Sequence, residues 1–395
     1  MAQPIPKKII EAHNIDVEKP FYTLIIDGNS LLEVAFNGDP RINSRGEHIG
    51  GIFQFLLQLK ILLAKREFDY IYTFWDGDNS GQLRYDIYPE YKGNRDKKFS
   101  DDNINSDYYR QIDNFVKKVL DKRNKEKDPE KLAKKERFHM QRKIVQEYLE
   151  ELFIRQAMCD KIEGDDMIAY YCLHKKPNER IYIVSGDRDI SQVLDIDDYI
   201  CMYIPVIKKY ITSANHIKEM GYHQKNVLLK KMLCGDSSDN IKGIKGLGEP
   251  TLMALMPEIK DREVKLYEVI ERCKFLIEER INNKQKPLKV HENIINQISD
   301  GLHTGKVFEI NKKIIDLKEP LLSDDAKEMI DDMMYVPIDG EGRSIGNLYK
   351  LMIRDDITEL LDKDRFSNFF STFNKTIDKE KKFYSKWEEE NSTKS

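Results

Sequence analysis

Acidic residues stand at the ends of apolar runs in this chain, where a strand would hand over to a loop. Asp27 closes Leu24-Ile-Ile, Asp76 closes Tyr70-Ile-Tyr-Thr-Phe-Trp75, and Asp187 and Asp189 follow Arg180-Ile-Tyr-Ile-Val-Ser185. Glu163-Gly-Asp165-Asp166 opens the apolar run that starts at Met167, and Gly235-Asp236-Ser-Ser-Asp239-Asn240 adds two more acids. Oxygen-only clusters select hard cations such as Mg²⁺, with Mn²⁺ as a substitute. Two such ions roughly 3.5–4 Å apart can activate a water and stabilise the leaving oxygen of a phosphodiester. Carboxylates gathered without metal would repel one another, which is the physical reason to expect ions there. One Asp in such a place usually caps a helix or a turn. Four strand-end sites in one chain are too many for that reading alone.

The elements that must position these acids follow from the apolar pattern. Phe21 to Ile26 and Tyr70 to Trp75 read as buried strands, and Gly50 to Arg66 as a helix with Ile52, Phe55, Leu56, Leu59, Leu62 and Leu63 on one face. Leu152 to Ala157 and Ile181 to Val184 read as a third and a fourth strand, with a helix from Asp165 to His174 between them. Tyr199 to Tyr203 and Lys209 to Thr212 add a fifth strand and a hairpin arm. This rhythm predicts an α/β fold with a mostly parallel central sheet flanked by helices. Ligand sites of such sheets lie beyond the carboxyl ends of the strands, so one sheet would gather the acids. The expected domains are an N-terminal extension (1–20), an α/β domain (21–212), a helical region (213–375) and a loose polar tail (376–395).

Two further stretches have nucleic-acid chemistry. Arg84-Tyr-Asp-Ile-Tyr-Pro-Glu-Tyr91-Lys92-Gly-Asn-Arg95 interleaves aromatics with cations, which can stack on bases and hold phosphates. Lys92 to Lys143 carries a net charge of +7 in a chain of net −4, leaving −11 elsewhere. Such polarity suits contact with a phosphate backbone; a solvated pair of charged helices would share the same count. Asp239-Asn-Ile-Lys242-Gly243-Ile-Lys245-Gly246-Leu-Gly248 places glycines between two short helices, a tight turn whose backbone N–H groups can bind phosphate oxygens.

Competing chemistries find no support. The chain lacks Gly-x-Ser-x-Gly, His-Glu-x-x-His and a Walker-type Gly-x-x-x-x-Gly-Lys-Ser/Thr, and its eight histidines are scattered. The five cysteines form no Cys-x-x-Cys pair, which fits small buried thiols in a reducing compartment. No window approaches eighteen consecutive apolar residues and the N-terminus lacks a signal-peptide core, so a cytoplasmic protein without a membrane span is expected, in the host cytoplasm if the chain is viral.

Taken in order, the blocks from Ile-Ile-Asp27-Gly-Asn to Gly248 resemble the structure-specific 5′ nucleases, the flap endonuclease and 5′→3′ exonuclease superfamily, over about residues 21–260. The likeness is to bacteriophage members of the T4 ribonuclease H and T5 5′ exonuclease types. The resemblance implies a pair of Mg²⁺ ions. Asp27, Asp76, Glu163, Asp165 and Asp166 match the first metal group, and Asp187, Asp189, Asp236 and Asp239 the second. Asp78 lies near the position of Asp76, but Asp76 directly ends the strand. Lys92 and Arg95 match cations that contact the scissile phosphate, and Arg84 and Tyr91 join them as expected nucleic-acid contacts. Residues 92–145 match a helical arch that admits a 5′ single strand. Residues 239–256 match a helix–hairpin–helix, with Lys242, Gly243, Lys245, Gly246 and Gly248 on duplex phosphates and a K⁺ ion at the turn.

The expected function is therefore Mg²⁺-dependent 5′→3′ exonuclease, flap endonuclease and ribonuclease H activity, removing RNA primers and 5′ flaps in DNA replication and repair. Expected partners are DNA and RNA–DNA hybrid with a 5′ end or flap, and a single-strand DNA-binding protein or sliding clamp met through the C-terminal part; a monomer is expected. Two alternatives share part of this pattern. A PIN-type RNase would keep the fold without the Lys92/Arg95 block and the glycine turn. A non-catalytic DNA-binding replication scaffold would have lost carboxylates, and none is lost.

Overall fold

The computed structural model describes residues 20–93, 129–299, 305–357 and 363–392. Strand β1 (Phe21–Asp27) leads into helix α1 (Gly28–Gly38), helix α2 (Gly50–Lys65) and strand β2 (Tyr70–Asp76). The short helix α3 (Gln82–Ile87) and the long helix α4 (Pro129–Glu151) follow, then strand β3 (Arg155–Cys159), helix α5 (Gly164–Leu173) and strand β4 (Glu179–Val184). Strands β5 (Ile200–Ile204) and β6 (Lys209–Ile211) end the sheet. Its order is β3-β2-β1-β4-β5-β6, with β1 to β5 parallel and β6 antiparallel. Chain order therefore reverses between β1 and β4, the kind of crevice where open parallel sheets bind ligands.

Register sets the acids side by side. Asp27 pairs with Phe74, Asp76 with Cys159, and Ile26 with Val184, so three strand ends and the loops beyond them share one edge. The third strand starts three residues later than its apolar run suggests. Leu152, Phe153 and Ile154 are buried as the turn out of α4, and Arg155 begins the strand. Apolar content fixed their burial, whereas hydrogen bonding to β2 decided where extended structure begins.

Both faces of the sheet are packed. On one face Leu24, Ile26 and Trp75 meet Leu31 of α1, Phe55 and Leu59 of α2, and Tyr148 of α4; Phe55 stacks on Trp75 with ring centroids 5.9 Å apart. On the other, Ile25, Phe74, Ile181 and Ile183 meet Met167 and Tyr171 of α5. Burying a side chain of this size contributes roughly 1.5–3 kcal/mol, so these two layers anchor the edge that carries the acids.

The second half of the chain is helical. Helix α6 (His216–Met220) and helix α7 (Val227–Cys234) lead into the two-residue strands β7 (Gly235–Asp236) and β8 (Ile241–Lys242), followed by α8 (Glu249–Leu255) and α9 (Leu266–Asn282). Helices α10 (Lys289–Ser299), α11 (Gly305–Ile315), α12 (Asp324–Tyr335), α13 (Ile345–Arg354), α14 (Lys363–Phe370) and α15 (Asn374–Ser392) complete it. They return to the sheet: Ile330 and Met334 of α12 join one core layer, Leu348, Met352, Phe370 and Phe373 the other.

The tail expected to be loose is helix α15 up to Ser392. Thr376, Ile377 and Glu380 form its buried face, and Glu380 accepts from Arg155 Nε at 3.1 Å and Nη2 at 2.8 Å. Both charges are nearly inaccessible, and a buried pair of this kind is costly to break from one side only. A polar composition concealed this because the docking face needs only three residues. Among the described residues no helix is long and apolar enough to cross a membrane.

Candidate metal centre and nucleic-acid interface

Asp27 caps α1 by accepting the Ser30 N–H at 3.0 Å, and its other oxygen accepts the Ser185 hydroxyl at 2.7 Å. Asp76 accepts the Gly164 N–H at 2.8 Å and the Asn29 amide at 2.8 Å. The ends of β1, β2 and β4 and the start of α5 are thus tied through acid side chains rather than through the sheet ladder. Asp78 points away with its side chain 81% exposed, which favours Asp76 as the site residue. Burial, with Asp76 and Asp187 nearby, pushes the Asp27 carboxyl up to about 7, and burial beside Glu163 raises Asp76.

Glu163, Asp165 and Asp166 each bring one oxygen within 4.8 Å of the others. Arg84 lies among them, buried, with Nη1 2.7 Å from Glu163 Oε2, Nη1 and Nη2 both on Asp166, and Nε donating to the Ile314 carbonyl at 2.8 Å. Leu321 N–H completes Asp166 at 3.0 Å. Lys92 Nζ bonds Glu163, and Tyr91 Oη donates to Glu163 Oε2 at 2.9 Å. Burial alone would raise the Glu163 carboxyl, but Arg84 and Lys92 outweigh it and hold it at about 2. Asp165, half-buried beside Asp166 and Glu163, is pushed by desolvation well above the usual carboxylate range.

Asp187 is exposed and caps the following 3-10 turn (Arg188–Asp195) through the Asp189 N–H at 2.8 Å. Asp189 and Asp236 share Lys231 of α7, whose Nζ lies 2.5 Å from Asp236 Oδ2 and also bonds Asp189. Burial and Asp187 push Asp189 up to about 6, whereas Lys231 and Ser238 overcome burial at Asp236 and hold it at about 2. Asp239 does not stand with this pair. Its carboxylate is 3.4 Å from Tyr91 Oη, on the Glu163 side, and its carbonyl accepts the Lys92 N–H at 2.7 Å.

Whether divalent ions fit can be read from the donors. All are hard oxygens, several are raised by desolvation on burial, and Asn29 Oδ1 is buried among them with no hydrogen-bond partner. Asp27, Asp76, Glu163, Asp165, Asp187 and Asp189 suit such an ion. Glu163 and Asp166 already have both oxygens engaged, Glu163 by Lys92, Arg84 and Tyr91 and Asp166 by Arg84 and Leu321, so an ion there would share or displace those partners.

One expectation needs correction. Arg84 and Tyr91 were expected on nucleic acid, yet they are 4% and 2% exposed and serve the acids. Interleaved aromatics and cations look alike in sequence whether they face solvent or a buried carboxylate. Arg95 and most of the expected arch lie outside the described residues; from Pro129 the chain is helix α4, whose Gln141 and Arg142 are buried, with Arg142 Nη1 on the Asp76 carbonyl at 3.0 Å.

The turn at Lys92 is stitched to the glycine segment. Lys92 has φ +48°, a strained value for a non-glycine residue, held by its N–H bond to Asp239. Asn240 Nδ2 donates to the Glu90 carbonyl at 2.7 Å, and Lys242 Nζ is 2.5 Å from Glu90. Between α7 and α8 the chain turns tightly: a Cβ on Gly243 would lie 2.1 Å from the Cys234 carbonyl carbon. Lys242, Lys245, Gly246 and Gly248 are exposed on this turn. The K⁺ expected there gains no support, since the Lys242, Ile244 and Lys245 carbonyls already accept from Asn311, Leu247 and Asn293.

Sequence reasoning missed Asn29, Ser185, Arg142, Lys231, and the Ile314 and Leu321 backbone. Asn29 and Ser185 adjoin the acid motifs and could have been flagged as their partners. The last two carry no side-chain signal at all.

DNA polymerase I of Bacillus subtilis is 25% identical over 256 residues, 63% of this chain and 24% of that protein. A 5′-3′ exonuclease of Mycoplasmopsis pulmonis is 27% identical over 172 residues, 44% of this chain and 54% of that one. The chain thus spans about a quarter and about half of the length of these two curated relatives. A bacteriophage T5 flap endonuclease, solved with DNA and metal ions, shares the fold with a TM-score of 0.55 at 16% identity, over 79% of this chain and 98% of that one. The profile of the 5'-3' exonuclease, N-terminal resolvase-like domain, matches residues 22–227, just over half of the chain, which therefore belongs to that family.

Proposed function

We propose that this chain is a divalent-metal-dependent nuclease that hydrolyses phosphodiester bonds from a 5′ end, acting on flaps and on RNA paired to DNA. The observation that carries the reading is the convergence of carboxylates from the ends of β1, β2, β3 and β4 and from the β7–β8 turn on one sheet edge. Asp27, Asp76, Glu163 and Asp165 would hold one Mg²⁺ and Asp187, Asp189 and Asp236 a second. Bound there, the ions would supply an activated water and charge stabilisation at the phosphorus centre.

The chain's own residues do the rest. Lys92 stays protonated, because Glu163 and Asp239 outweigh the cost of its burial, so it can meet the growing charge of the scissile phosphate. Arg84 keeps Glu163 and Asp166 in place, and Arg142 fixes the end of β2 through the Asp76 carbonyl. Lys242, Lys245 and the backbone of the glycine turn would hold duplex phosphates without reading bases.

Purified protein with Mg²⁺ should cut a 5′-labelled flap and a 5′-labelled RNA primer on DNA, and Asp187→Asn should lose at least ~10²-fold in rate while still binding the flap duplex. An intact flap and an intact primer would rule the reading out. Cleavage of the flap alone would remove ribonuclease H activity from it.

A further inference from the structure

The sheet has a second surface with recognition chemistry, away from the acids. Strand alternation and register put Tyr22 of β1, Arg180 and Tyr182 of β4, Tyr203 of β5 and Tyr210 of β6 on the face that carries Leu24 and Ile26. Helices α1 and α2 cover Leu24, Ile26 and Trp75; Tyr203 is buried in the same core layer, whereas Tyr22 and Tyr182 are half-buried, Tyr210 is 40% exposed and Tyr199 52%. The Tyr22 and Tyr182 rings are 6.3 Å apart and the Tyr203 and Tyr210 rings 4.8 Å.

Cations line this row. The Arg66 guanidinium, just past α2, is 4.5 Å from the Tyr22 ring and 4.9 Å from the Tyr182 ring. Arg180 is 5.0 Å from the ring of exposed Tyr199, and Lys65 Nζ is 5.8 Å from that of Tyr203. Among the described residues Lys65, Arg66 and Arg180 have no carboxylate partner. Tyr22, Arg66 and Arg180 stand at the amino ends of β1 and β4, opposite the edge where Asp27 and Asp187 lie.

We propose that this face is a second nucleic-acid surface, a platform for single-stranded DNA or RNA that works independently of the acid edge. The exposed Tyr199 and Tyr210 rings offer stacking to any base, and Lys65, Arg66 and Arg180, which lie over the rings of this face, meet the backbone phosphates. An acidic protein would use the cations and leave the rings idle. A second copy of this chain would bring like charges together. The proposal goes beyond the nuclease reading and does not depend on it.

The test uses the full chain without divalent metal and a fluorescent, covalently closed oligo(dT) circle, which has no 5′ end to offer the acid edge. The circle should bind at low salt, and Arg66→Glu/Arg180→Glu should weaken it at least ~10-fold while leaving cleavage of a 5′ flap unchanged. The milder Tyr182→Ala and Tyr210→Ala should also weaken it, with melting temperatures reported alongside to exclude unfolding. A bromouracil-bearing circle should crosslink to peptides containing Tyr182 or Tyr210. Unchanged affinity in all these variants, or crosslinks confined to residues 236–248, would overturn the proposal. A concentration-dependent dimer in sedimentation that the double variant abolishes would overturn it too, assigning the face to a second copy.

Discussion

Arg84 and Asp166 face each other fork to fork in the protein interior, with Nη2 3.1 Å from Oδ1 and Nη1 on Oδ2. The same guanidinium holds Glu163 and the Ile314 carbonyl, so one side chain joins the acid cluster to the last turn of α11. Its charge is secure: burial would favour the neutral form, but Asp166 and Glu163 reverse that.

Removing one side of this pair should cost far more than removing both. Arg84→Leu leaves a buried carboxylate without its cation and should lower stability by about 3–5 kcal/mol. Arg84→Leu with Asp166→Leu should recover at least ~1 kcal/mol of that loss. Urea denaturation of both single variants and the double variant decides; a double-variant loss equal to the sum of the two single losses would mean that the pair is not coupled.

Lys231 holds the oxygens of Asp189 and Asp236 that a divalent ion would use. Lys231→Met should therefore destabilise the metal-free protein and enlarge the rise in melting temperature on adding Mg²⁺, because the ion no longer competes with an ammonium group. Melts in chelator and in excess Mg²⁺ measure both. An unchanged Mg²⁺ increment would show that Lys231 and the ion do not share those oxygens.

The glycines of the turn should not be equivalent. At Gly243 a Cβ would meet the Cys234 carbonyl carbon at 2.1 Å, whereas at Gly248 the nearest atom is Pro250 Cδ at 3.8 Å. Gly243→Ala should cost about 1–3 kcal/mol and weaken duplex binding by pushing β7 and β8 apart. Gly248→Ala should be nearly neutral. Denaturation and duplex anisotropy on both variants check the contrast.

Lys176 provides a pH test far from the acids. It is fully buried, its Nζ donates to the Met334 carbonyl at 2.7 Å, and burial pushes it down to about 8 from 10.5. Below pH 8 the ammonium is charged in both the folded and unfolded chains, and its desolvation penalty is fully present. Between about 8 and 10.5 the unfolded chain binds more protons, so this group makes stability rise with pH. The stability of the wild type relative to Lys176→Met should therefore improve by about 3 kcal/mol across that window. A flat difference would show that Lys176 titrates normally.

The strand-end acids were legible because a carboxylate breaking an apolar run is conspicuous, and because a parallel sheet leaves few places for it. Asp27, Asp76, Glu163 and Asp165 could be placed on one edge from spacing alone. Arg84, Tyr91 and Glu380 could not, since each is polar or amphipathic and its sequence neighbours do not distinguish solvent from a buried partner. Sequence by itself determined which chemistry the chain carries: hard oxygen ligands, a basic segment and a glycine turn. Only the tertiary structure decided how those charges are balanced. Arg84, Lys92 and Lys231 find their acids across 71 residues for Lys92–Glu163 and 82 for Arg84–Asp166, while Ile314 and Leu321 contribute only backbone. Such pairings have no local signature, because the free energy that selects them comes from desolvating opposite charges together once the layers have packed.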